Sequence, residues 1–183
     1  MIHEVIDIQV KGSLPDTKLY TYLLDNSPEI NPNGVRPVIV VCPGGGYGMT
    51  SDREAEAFAV KFMSMGYHAV ILRYSCAPAV YPTALLELAA VVKLLRENAE
   101  KWLIDKEKII VQGSSAGGHL AASFGVFWKE DYIAEYFNIS SELLRPNGLI
   151  LNYPVITSGR FANRDSFRNL LGDRYEELVD KMS

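Results

Sequence analysis

Ser115 sits at the centre of Gly113-Ser114-Ser115-Ala116-Gly117, directly after the apolar run Ile109-Ile110-Val111 and just ahead of a stretch rich in small residues. A Gly-x-Ser-x-Gly element between a strand and a helix is a setting in which a serine hydroxyl is held out on a sharp turn as a nucleophile. Glycine two places before and two places after removes side chains that would collide with the neighbouring strand and helix. The N–H of Ala116, in the first helical turn, then points toward an oxyanion formed on an attacked carbonyl. A second donor is expected from the loop Pro43-Gly44-Gly45-Gly46-Tyr47-Gly48, with Gly45 and Gly46 as the candidates. The competing use of a glycine-rich turn is a phosphate cradle, but the Gly-Lys-Ser/Thr ending and the Gly-x-Gly-x-x-Gly spacing are both absent.

A serine nucleophile needs a base, and a carboxylate to hold that base. His119 is the one histidine after Ser115; it lies one helical turn on, close enough to touch but poorly placed for the triad geometry. His3 belongs to the first strand and His68 opens a strand at the end opposite the elbow, so both read as structural or solvated. Asp165 and Asp173 read as surface or helix-capping carboxylates. Cys42 is the weaker nucleophile, because it ends a buried strand with nothing basic near it in sequence. Tyr47, Tyr74, Tyr81 and Trp128 have the chemistry to stack on a sugar, but aromatics so placed are more often core.

The elements that must position these residues alternate. Ile2–Val10 and Thr17–Leu24 read as an antiparallel hairpin turning near Gly12 to Asp16. Val38–Cys42, Ala69–Leu72, Ile109–Val111 and Leu149–Leu151 are short, continuous apolar runs of the kind found in strands covered on both faces. Helices are predicted between them over Arg53–Met65, Pro82–Trp102 and Ala116–Trp128, with shorter ones over Lys129–Pro146 and Ser166–Met182. Strand and helix units of this kind predict an α/β fold with a mainly parallel sheet, helices on both faces, and one domain spanning residues 1–183.

Composition narrows the partners. Lys and Arg number 18 against 22 Asp and Glu, a net charge of −4 with no basic run, which disfavours a phosphate-tracking nucleic-acid surface. No segment reaches the roughly 18 apolar residues of a membrane span, and Met1–Asp7 carries charges where a signal peptide needs an apolar core, so a cytoplasmic location is expected. Cys42 and Cys76 lie 34 positions apart without a Cys/His cluster. They read as reduced thiols, and no metal or cofactor is expected.

Four segments in order resemble the α/β-hydrolase esterase/lipase family, in particular its bacterial acetyl-esterase and acetyl-xylan-esterase-like branch, often labelled sugar hydrolase or xylanase-related. They are Cys42-Pro43-Gly44-Gly45-Gly46-Tyr47; Ser51-Asp52-Arg53-Glu54; Leu72-Arg73-Tyr74 with Tyr81-Pro82; and Gly113 to Ala121. The resemblance implies Ser115 as nucleophile, Ala116 with Gly45 or Gly46 as oxyanion hole, and a small ester substrate such as an acetylated sugar. It also implies an Asp and a His on two further strands after Leu149–Leu151, roughly 70 to 100 residues more. The expectations that follow are a C-terminally incomplete domain lacking the last two strands, and at most trace activity. Self-association is expected too, unless the helices from Ser166 onward cover the apolar edge. The alternative in another class is a catalytically inactive α/β-hydrolase-like binding module.

Overall fold

The computed structural model describes residues 1–183. Its strands are β1 (Val5–Asp7), β2 (Lys18–Tyr22), β3 (Arg36–Cys42), β4 (His68–Arg73), β5 (Ile104–Ser114) and β6 (Gly148–Asn152). They form one sheet in the order β1-β2-β4-β3-β5-β6. β1, β2 and β4 pair antiparallel, whereas β4, β3, β5 and β6 run parallel. The antiparallel entry and parallel remainder agree with the sequence expectation.

Alternation along β3 divides the core. Val38, Val40 and Cys42 point into a large apolar cluster, while Ile39 and Val41 point into a smaller one on the other face. The large cluster is filled by α2 (Thr83–Glu97) and α3 (Ala116–Phe127), with Leu88, Leu95 and Phe124 wholly buried. Each such side chain contributes on the order of 2 kcal/mol through burial. The smaller cluster is covered by α1 (Glu56–Met63) through Ala59, Phe58 and Phe62. Helices therefore lie on both faces. α4 (Asp131–Phe137) follows α3, and α5 (Arg164–Leu171) and α6 (Tyr175–Leu178) follow β6.

The structure departs from the sequence expectations in three places: the end of the long helix, the length of the first strand and the exposure of the last. The long helix stops at Glu97 rather than Trp102, because Asn98 turns its amide back onto the Leu94 carbonyl (2.9 Å) and β5 has already begun at Ile104. The first strand is three residues long, although an isolated bridge between Ile2 and Leu23 extends the pairing. Asp165 and Asp173 are exposed, in keeping with the surface reading, and the cap of α5 is Asn163, whose side chain accepts the Ser166 N–H (3.3 Å). Finally, α5 and α6 leave the outer strand uncovered. Their apolar residues Phe167, Leu171 and Leu178 enter the large core cluster, and Leu149, Ile150 and Leu151 stay 39%, 36% and 39% exposed.

Candidate active site

β5 delivers Ser115 to the turn before α3 with φ 53° and ψ −118°, a conformation that L residues seldom adopt and that costs about 1–3 kcal/mol. Backbone bonds hold it there. Its N–H donates to the Asn152 carbonyl (3.0 Å), and its own carbonyl accepts the N–H groups of His119 (3.0 Å) and Val155 (3.2 Å). A methyl group on Gly117 would lie 2.0 Å from the Cys42 carbonyl oxygen, and one on Gly113 would lie 2.0 Å from the Gly117 carbonyl oxygen. The two glycines thus allow β3, β5 and α3 to meet. The adjacent serines have different surroundings: Ser114 is buried and accepts from Gln112 Nε2 (3.1 Å), whereas Ser115 is half-buried and its hydroxyl has no protein partner.

The glycine loop runs beside this turn. A methyl on Gly44 would sit 2.9 Å from Ser115 Cβ on one side and 2.5 Å from Glu54 Oε2 on the other. Most carbonyls of the loop are engaged, whereas the N–H of Tyr47 is unpaired. The Pro43 carbonyl accepts the Tyr74 hydroxyl (2.6 Å), and the Gly44 N–H donates to Glu54 Oε2 (2.7 Å). The Gly44 carbonyl accepts the Ser51 N–H (2.8 Å), and the Gly45 carbonyl accepts those of Gly48 (3.1 Å) and Met49 (3.3 Å). The Gly46 carbonyl accepts Asn169 Nδ2 (2.8 Å). The N–H groups of Gly45 and Gly46 donate to nothing in the protein, and the same holds for Ala116. Since N–H and C=O of a trans peptide point in opposite directions, anchoring the carbonyls also aims the free N–H groups.

None of the histidines is free to serve Ser115. Buried His119 donates from Nε2 to the Met182 carbonyl (2.6 Å) and accepts the Tyr47 hydroxyl at Nδ1 (2.8 Å). Burial pushes its pKa below the ordinary histidine value, against the opposing pull of the Met182 carbonyl. His68 is buried between the Leu24 N–H (3.0 Å) and the Leu103 carbonyl (3.2 Å), and His3 bonds the Thr21 carbonyl (2.6 Å). Cys42 is wholly buried, and burial pushes its thiol far above the usual range, which argues against it as a nucleophile. Tyr47 and Tyr74 are 3% exposed, so neither offers a face to a sugar. No cluster of metal-ligating side chains is present, and no helix is long and apolar enough to cross a membrane.

Sequence reasoning missed Glu54, Tyr153 and Asn169. Glu54 lay within a recognised segment, but its contact with Gly44 is made only in three dimensions. Of the segments of the resemblance, Cys42–Tyr47, Ser51–Glu54, Tyr74 and Gly113–Ala121 meet at this junction, whereas Tyr81 bonds Leu170 and Tyr132.

The BD-FAE family model matches residues 26–178. This chain belongs to the BD-FAE family of α/β-hydrolases. It is 38% identical over 167 residues to endo-1,4-beta-xylanase B of Butyrivibrio fibrisolvens, covering 88% of this chain and 25% of that protein. It is 30% identical over 146 residues to the acetylxylan esterase of Xylanibacter ruminicola, covering 78% of this chain and 27% of that one. Among solved structures, the acetyl ester-xyloside bifunctional hydrolase from Caldicellulosiruptor lactoaceticus matches with a TM-score of 0.76 and 33% identity, over 91% of this chain and 60% of the other. The chain therefore spans about a quarter of the length of those two curated relatives. The proteins that the BD-FAE chain is similar to carry the names of a xylanase, an esterase and a bifunctional hydrolase.

Proposed function

We propose that this BD-FAE chain carries the nucleophile and oxyanion hole of a serine carboxylic-ester hydrolase whose substrates are small esters, acetylated sugars among them. The observation that carries the reading is an unbonded serine hydroxyl on a positive-φ turn beside a loop whose unpaired donors include the N–H groups of Gly45 and Gly46. In this reading Ser115 Oγ attacks the acyl carbonyl, the alcohol leaves, and water hydrolyses the acyl-serine. Charge developing on the carbonyl oxygen is met by Ala116 N–H together with Gly45 or Gly46. The names of the acetylxylan esterase and of the acetyl ester-xyloside hydrolase support acetylated sugar as the substrate class.

The proton of Ser115 needs an acceptor, and the three histidines are engaged elsewhere. We assign that role, and its supporting carboxylate, to residues outside these 183. Removing the base of a triad lowers turnover by about six orders of magnitude, so the chain alone hydrolyses esters at trace rates. Hydrolysis of p-nitrophenyl acetate by the wild-type chain and by Ser115→Ala tests both parts. The expected result is a slow release of p-nitrophenol that falls to the buffer rate in the variant. Equal rates in the two proteins overturn the nucleophile, and Ser115-dependent turnover at an ordinary enzyme rate of about 10 per second overturns the missing base. The engaged histidines also favour a second reading, a binding module without chemistry, for which an acetylated xylo-oligosaccharide would bind and Ser115 would never become acylated.

A further inference from the structure

Glu54 is the carboxylate that bonds the glycine loop, and its placement is fixed from several sides. It ends a 3-10 turn, Asp52–Glu54, whose preceding residue Ser51 gives its N–H to the Gly44 carbonyl (2.8 Å). Arg73 from β4 ties the same turn down by donating to the Thr50 carbonyl (3.0 Å) and pairing with Asp52 (2.8 Å). The second carboxylate oxygen of Glu54 accepts the hydroxyl of Tyr153 (2.9 Å), a residue at the end of β6 with φ 37°. The carboxylate thus spans from the first glycine of the loop to the strand on the far side of the elbow.

Resting on the function proposed above, we propose that Glu54 is a positioning residue for the oxyanion hole: it takes the Gly44 N–H, leaves the next two N–H groups for the substrate, and is itself steered by Tyr153. The Pro43–Gly44 peptide is then held at both ends, by Tyr74 at its carbonyl and by Glu54 at its N–H. The following peptides are anchored only through their carbonyls. Without Glu54 the first peptide keeps only its Tyr74 anchor, and its unpaired N–H competes with the next two for the oxyanion. A carboxylate beside a site of developing negative charge is tolerable because both of its oxygens already accept hydrogen bonds.

The test uses a fluorophosphonate, whose tetrahedral adduct places an oxygen in the oxyanion hole. The adduct on Ser115 is located and its rate of formation measured by mass spectrometry on the full 183-residue chain. Loss of one oxyanion donor lowers rates by about 100-fold or more, so a misaimed loop in Glu54→Ala is expected to slow labelling at least about tenfold. Glu54→Gln keeps an acceptor for Gly44 N–H and is expected to stay within about threefold of wild type, a rescue that loss of bulk or fold would not give. Tyr153→Phe, which deletes a single hydroxyl from an exposed ring, is expected to fall between them, and it decides the matter should Glu54→Ala fail to fold. Labelling of Glu54→Ala or Tyr153→Phe at the wild-type rate, or of Glu54→Gln as slowly as Glu54→Ala, overturns the positioning role while leaving Ser115 as nucleophile. Labelling is run to long times at high pH, where hydroxide stands in for the base, and absence of a Ser115 adduct in the wild type there overturns the nucleophile and the positioning role together.

Discussion

The elbow junction and the outer strand β6 are neighbours in the sheet, yet they are built on opposite terms. At the junction, one added methyl on Gly113 or Gly117 meets a carbonyl oxygen at 2.0 Å, and the loop leaves only selected N–H groups unpaired. On β6, three consecutive apolar residues are more than a third exposed and one edge of the strand pairs with nothing. The difference shows where precision is demanded in this molecule. Space and hydrogen bonds are used up around the Ser115 turn and the glycine loop and left open along the last strand of these residues.

Four substitutions probe that contrast, beginning with the largest effect. Gly117→Ala forces a Cβ into the Cys42 carbonyl and is expected to cost about 3 kcal/mol or more, or to prevent folding, as measured by urea unfolding. A loss below about 1 kcal/mol would mean that the junction can relax, and the contrast would vanish.

The interior polar cluster around Glu87 asks whether full satisfaction of buried groups extends beyond the site. This carboxylate is wholly buried, accepting the Ser13 hydroxyl (2.7 Å) and the Ser75 N–H (2.8 Å). Burial raises its pKa above the ordinary value of 4.5, against the opposing effect of these hydrogen bonds. Over that interval the folded chain holds a proton that the unfolded chain has lost, so this group's contribution to stability falls as pH rises from 4.5 to the raised folded value, then levels off. Glu87→Gln is expected to flatten this stretch of the stability profile, followed by urea midpoints across pH 4 to 8; an unchanged slope would assign it to another group.

Ser115→Gly removes the strain of φ 53° but adds chain entropy to the unfolded state, for a net gain of about 1 kcal/mol, read as a higher Tm. A lower Tm would show that the turn is unstrained. The smallest effect is expected at the edge. Ile150→Thr changes stability by less than about 0.5 kcal/mol, while light scattering reports weaker self-association, because exposed edges with apolar side chains pair with one another.

Legibility from sequence divides along the same line. The glycine spacing around Ser115 and the order of the buried runs were readable because each reflects a local requirement, a side chain that cannot fit or an alternation that must be kept. Leu149–Leu151 read as a strand for the same reason, and it is one. Its exposure depends on what lies beside it in space, which no local pattern records. The end of α2 at Glu97 turned on one side chain, Asn98, folding back onto its own helix. Glu54, Tyr153 and Asn169 act on a loop up to 123 positions away in the chain, so their types alone could not announce the contact.

The imidazole of residue 119 joins three otherwise separate parts of the chain: the tail of the glycine loop through Tyr47, the helix behind the elbow, and the C-terminal turn through Met182. A ring proton locked against a carbonyl and shielded from water exchanges slowly, so it should give its own low-field proton resonance. That signal offers a built-in reporter of whether the last residues are docked, visible without any dye, label or substrate.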